Sequence, residues 1–254
     1  MTDTKKFQSE VIELPSKGYF YPKESELSKG EIELKHMTAK EEDILMSQNL
    51  IRKGIVLDKV LQALIISPIN YEELLIGDKN AILVASRILA YGKDYTVSLP
   101  CPRCGESNTT TVDLAALETK EVNTDQFTEG SAITEVELPT SKVTVQIKLL
   151  THADEQFISR EIEGYKKMKT GVDPEITTRL KRLIISVDGN GDKGTINAFV
   201  NQLPSRDSLF LRQFLRDNMP DINLEFDFEC TDCNHVETVP IPMGTEFFWP
   251  AGRR

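Results

Sequence analysis

The chain has 254 residues, 39% hydrophobic and 28% charged, with 30 Lys plus Arg against 40 Asp plus Glu for a net charge of −10. That length can bury one large core or two small ones, and the acidic balance argues against a bulk electrostatic grip on nucleic acid or anionic membrane. The polar first ten residues hold no signal-peptide stretch, and no run of about 18 apolar residues occurs, so neither secretion nor a membrane span is expected.

In chain order, residues 1–30 read as a polar, extended arm. It carries Leu14-Pro15-Ser16-Lys17-Gly18-Tyr19-Phe20-Tyr21-Pro22, where proline restrictions favour a turn-rich path over a helix. Tyr19, Phe20 and Tyr21 pack on their own domain or dock on a partner. Glu31 to Lys35 alternates as a half-buried strand, and Thr38-Ala39-Lys40-Glu41 has the form of a capping box. Helices follow through Ile44 to Ile51 and Leu57 to Ile66. Tyr71 to Ile76 is a helical turn, and Asp78 is expected to cap a stronger helix ending at Gly92. Tyr95 to Leu99 and Thr109 to Asp113 read as strands flanking Cys101-Pro102-Arg103-Cys104-Gly105. Residues 118–142 form the candidate linker. Val143 to Leu149 is a strand, Thr151 opens a helix, and Pro174 starts another. Thr195 to Leu203 and Ser205 to Asn218 are two more. Leu224 to Glu229 and His235 to Val239 then flank Cys230-Thr231-Asp232-Cys233-Asn234.

Two C-x-x-C knuckles supply the four thiolates of a tetrahedral structural zinc: Cys101, Cys104, Cys230 and Cys233. Buried thiols, a redox pair and an iron–sulfur centre are the alternatives. A redox C-x-x-C usually opens a helix, whereas these lie between strands, and nothing else points to electron transfer. Zinc is the favoured reading, structural because four thiolates leave no open position. Four cysteines in such units, with no secretory signal, suit metal binding in a reducing compartment.

The chain also repeats itself. Ile32 and Leu34 stand six and four residues before Thr38, as Val145 and Ile147 do before Thr151. Asp78 precedes Arg87 by nine residues and Cys101 by 23, and Asp207 precedes Arg216 and Cys230 by the same intervals. The expectation is an α+β fold of two related half-domains (31–117 and 143–243). Each runs strand, helices, strand and knuckle, and a pseudo-twofold duplication brings the knuckles to one shared zinc. A metal closing so long a loop removes much chain entropy from the open state.

No catalytic pattern emerges. Asp188, Asn190 and Asp192 imitate the start of a Ca²⁺ loop, but Lys193 stands where Gly is required and Phe199 where the bidentate Glu belongs. His36, His152 and His235 form no ligand pair. The tail, 244–254, carries Phe247-Phe248-Trp249-Pro250, three adjacent aromatics that suit a groove in this protein or in a neighbour.

The Leu14 to Gly18 opening, Met37 to Asp43, the helix from Gly77 to Arg87, Tyr91 to Tyr95, the first knuckle and the Phe-Phe-Trp-Pro end together resemble the baseplate hub protein family of T4-type contractile-tailed phages. The resemblance implies a structural protein of the virion tail baseplate, or an assembly factor of the hub, made in the infected cell's cytoplasm. Its partners would be other baseplate and tail proteins. It implies no enzyme, small-molecule substrate, nucleic acid or membrane span. On that reading Tyr19, Phe20, Tyr21, Phe247, Phe248 and Trp249 are partner-binding. A zinc-ribbon nucleic-acid-binding regulator is the competing reading, and its main basic residues would be Arg103, Lys166, Lys167, Lys169, Arg179, Lys181 and Arg182.

Overall fold

A computed structural model of the protein describes residues 8–167, 171 and 173–248. Strands β1 (Ser9–Glu13) and β2 (Glu31–Lys35) form an antiparallel hairpin with Val11 opposite Glu33. β2 buries Ile32 and Leu34 on one face, as its alternation requires. The long connection folds back on itself, with Leu14 N–H donating to Gly30 O. At Gly18 the left-handed φ of 78° and a carbonyl of Ser28 only 2.2 Å from where a Cβ would stand leave room for glycine alone.

Helix α1 (Ala39–Leu45) starts at Thr38, whose N–H and hydroxyl both donate to Glu41 Oε2. Burial alone would raise Glu41, but Lys35 and Thr38 outweigh it and hold the carboxyl at about 2. After α2 (Gln48–Arg52), α3 (Val56–Leu64) buries Val56, Val60, Leu61 and Leu64, a one-faced helical spacing. Ile65 then bridges Leu34 of β2. Helix α4 (Ile76–Tyr91) buries Ala81 to Val84, Ser86 and Arg87, nearly all round, because it runs through the middle of the molecule. Strands β3 (Asp94–Pro100) and β4 (Ser107–Asp113) close the first half.

The second half opens with β5 (Ile133–Glu137) paired to β6 (Thr144–Lys148), which pairs in turn with β7 (Ile184–Val187). Between β6 and β7 lie α5 (His152–Lys167) and α6 (Glu175–Leu183). Helices α7 (Lys193–Gln202) and α8 (Ser205–Asn218) lead to the hairpin of β8 (Glu225–Glu229) and β9 (Val236–Pro240). One hydrophobic cluster runs through both halves, from Leu14 to Phe248. The halves also meet where Leu75 bridges Thr151, and where Asp58 pairs with Lys79 beside the buried His152.

The halves also come close at Gly77, where an added Cβ would stand 1.6 Å from Pro220 O. Replacing a helical glycine by alanine ordinarily gains up to about 1 kcal/mol, but here the backbone contact decides the sign. Gly77→Ala is expected to destabilise by about 3 kcal/mol or more. Gly164→Ala, in α5 with open space around it, should stabilise by about 0.5–1 kcal/mol. Urea midpoints of the two variants check the contrast.

Several expectations need correcting. The described part of the 1–30 arm is a strand and a core-building loop, because β1 finds its partner in β2 and Leu14, Phe20, Tyr21 and Leu27 are buried. The 118–142 linker contains β5, which pairs with β6. The described part of the tail holds a 3-10 turn at Thr245–Phe248. Asp78 is no cap: it lies in the first turn of α4, fully buried, accepting from Ser16 N–H and the Tyr21 hydroxyl. Asp207, buried in the first turn of α8, accepts from the N–H groups of Thr140 and Ser141. Burial raises Asp78 despite its hydrogen bonds. At Asp207 burial pushes the same way, but the two N–H donors outweigh it and the carboxyl is lowered.

Candidate metal centre

Each knuckle is the tip of an antiparallel hairpin and is turned by the same backbone bonds. In the first, Cys101 N–H donates to Glu106 O and Gly105 N–H to Cys101 O; in the second, Cys230 N–H donates to His235 O and Asn234 N–H to Cys230 O. Gly105 and Asn234 both take left-handed φ, 80° and 52°, as residue types that reach that region cheaply. The turn curls both sulfurs of each knuckle to one side.

The two hairpin tips converge. Cys101 Sγ lies 3.7 Å from Cys233 Sγ, Cys104 Sγ lies 3.6 Å from Cys230 Sγ, and all four sulfurs lie within 4.8 Å of one another. A tetrahedral zinc with Zn–S of about 2.3 Å needs sulfurs about 3.8 Å apart, whereas a disulfide needs about 2.05 Å. The spacing fits a metal tetrathiolate, and all four cysteines are free thiols. Cys101 and Cys230 are buried against Phe228, Leu99, Phe226 and Val239, while Cys233 is half-buried and Cys104 exposed.

The electrostatics fit a cation as well. Burial opposes ionisation of Cys230, yet the N–H groups of Cys233 and Asp232, with neighbouring thiols, bring it down to about 6. Cys104 receives an N–H from Glu106, but desolvation and the other three thiols push it up to about 12. Burial likewise raises Cys233. Four thiolates could not share so small a volume uncompensated, and a divalent ion would supply the compensation.

The aromatic residues expected to bind partners lie away from the sulfurs, and most of them pack within the chain's own core. Phe20 and Tyr21 are buried; Phe20 meets Phe127 edge to face at 5.1 Å. Tyr21 accepts from Leu75 N–H while donating to Asp78. Tyr19 is half-buried and donates to Phe127 O. Phe247 and Phe248 are fully buried, and Phe247 stacks edge to face on Tyr95. A side chain already desolvated by its own core has no apolar surface left for a neighbour. Trp249 lies outside the described residues.

The basic residues that would serve nucleic acid are partly neutralised. Arg179 forms ion pairs with Glu155 and Glu175, and Arg182 with Asp154. No helix among the described residues is long and apolar enough to cross a membrane. Sequence reasoning missed Asn108, a buried polar side chain reaching from β4 to the second knuckle. A lone asparagine in an alternating strand carries no periodic signal.

A family model described as T4 bacteriophage base plate protein matches residues 10–249. No curated protein and no solved structure matches.

Proposed function

Because the chain belongs to the T4 bacteriophage base plate protein family, we propose that it is a structural subunit of the hub or inner part of a phage tail baseplate. It acts through protein–protein contacts and not by catalysis, and a structural zinc holds its two hairpin tips together. It is made in the host cytoplasm and assembles there with other tail and baseplate proteins. The family match over nearly the whole chain carries this reading. The four converging sulfurs support the zinc, and their closed geometry suits a staple, not an active centre.

The two halves are, on this proposal, copies of one ancestral unit. What supports the duplication is a set of matched details. Thr38 and Thr151 open helices whose third residues, Glu41 and Asp154, each pair with a lysine of the preceding strand, Lys35 and Lys148. Asp78 and Asp207 hold turns that begin Leu14-Pro15 and Leu138-Pro139, and Lys17 and Lys142 within those turns both take left-handed φ. α3 and α6 are each nine residues long, and each hands its chain to a residue bridging the middle strand.

The test is copy number. Quantitative mass spectrometry of purified virions is expected to find the chain at a fixed ratio to other tail proteins. Its absence from the finished particle, with accumulation in infected cells, would leave the assembly-factor reading instead.

A further inference from the structure

We propose that Asn108 is the positioning residue of the metal centre, an amide that reaches across the pseudo-twofold to fix Cys230 and share its charge. The inference rests on the metal reading above. Asn108 sits on β4 of the first hairpin, opposite Leu99, and is 5% exposed. Its carboxamide uses every hydrogen bond it has. Nδ2 donates to Glu106 O at 3.1 Å within its own hairpin and to Cys230 Sγ at 3.4 Å in the other. Oδ1 accepts from the backbone N–H of Thr231 at 2.8 Å and from its hydroxyl at 2.7 Å. The orientation of the amide is fixed by those partners, since a backbone N–H must face oxygen and a carbonyl must face nitrogen.

This geometry does two things. Thr231 lies inside the second knuckle, between its cysteines, so the bonds to Oδ1 lock that knuckle onto the first hairpin before any ion arrives. The N–H aimed at Cys230 Sγ withdraws charge from a thiolate, the role that groups around metal ligands commonly play. The arrangement is one-sided. The matching position of the other hairpin is Glu237, opposite Phe228, and its carboxylate is exposed and faces His235 at 3.2 Å. A carboxylate there has no N–H to give a sulfur. One asparagine therefore serves both knuckles, and the ligand it helps to hold is a thiophilic divalent cation of zinc's size and charge.

The experiment uses the full-length protein. Zinc affinity is measured by chelator competition, and Co²⁺ loaded to saturation is followed through its thiolate charge-transfer absorption. Asn108→Ala and Asn108→Asp are each expected to weaken zinc by about 10–100-fold. The aspartate variant should do at least as badly, since it keeps the acceptor for Thr231 but turns an oxygen on the sulfur. Both should shift the Co²⁺ band, which a purely structural role would not move. Thr231→Val, on an exposed turn, keeps the N–H to sulfur. It should weaken zinc several-fold with the band in place, and it carries the test should the Asn108 variants not fold. Affinities within about twofold of wild type and an unshifted band overturn the role of Asn108 alone. A wild-type protein that binds neither ion overturns the metal reading along with it.

Discussion

Replacing Cys230 by Ser, or stripping the metal with a strong chelator, is expected to lower the thermal midpoint by roughly 10 °C. An ion present at about a thousand times its dissociation constant stabilises the state that binds it by about 4 kcal/mol. The unfolded chain cannot compete, because its knuckles are separated by the whole span from Cys104 to Cys230. The effect should depend on pH in a definite direction. Cys104 and Cys233 are raised and must lose their protons to ligate, so protons compete with the metal. The metal-dependent stability therefore rises with pH and is lost progressively as the pH is lowered and the thiols take up protons. Metal analysis beside scanning calorimetry, with and without chelator at two pH values, checks both points. Well-folded wild type that carries no metal and melts as the variant does would sink the staple.

Truncating Phe247 to alanine is expected to cost about 3–5 kcal/mol, a large share of the roughly 5–15 kcal/mol that holds a typical domain folded. Phe247 is fully buried, edge to face with Tyr95 at 5.0 Å and with Phe248 at 5.6 Å. Its carbonyl accepts from Arg87 Nε at 2.9 Å, while Arg87 also donates to Gly92 O and Asp94 O and lies over the rings of Tyr91 and Tyr95. The C-terminal turn thus seals the end of α4 beside the first hairpin, satisfying an arginine that burial would otherwise penalise. Urea denaturation of Phe247→Ala measures the loss. A partner anchor would behave in the opposite way, keeping the subunit's own stability and losing only assembly. Unchanged urea stability would favour the anchoring role.

The contrast between those two residues marks where sequence reasoning stops. Cys230 was legible because a C-x-x-C between alternating strands constrains its own turn, and the turn needs only its neighbours. The run of Phe247, Phe248 and Trp249 says that apolar surface must be buried but not by what, and the bridging of Phe247 to Tyr95 spans most of the chain. Similarly, Thr38 and Thr151 were readable as helix starts from residues three places on. Asp78 and Asp207 were not readable as buried clamps, because their partners, Ser16 and Thr140, lie far away in sequence. Strands β1, β5 and β7 were missed for a related reason. The first two are short segments whose edges are defined by a partner, and β7 follows α6 without a break in apolar residues.

By itself the sequence determined the local parts of this protein: the two knuckles, the hairpins that carry them, the capped helices and the choice of sulfur as ligand. Alternation, capping and turn chemistry act over a few residues, so each leaves its mark in the order of the chain. The repeat already led to the expectation that the four sulfurs meet; the tertiary structure alone decided how closely they do, that Asn108 crosses from one hairpin to grip the other, and that Phe20, Tyr21, Phe247 and Phe248 are buried in the core. Those outcomes rest on contacts between segments remote in sequence, where packing and the pairing of buried polar groups choose the partner.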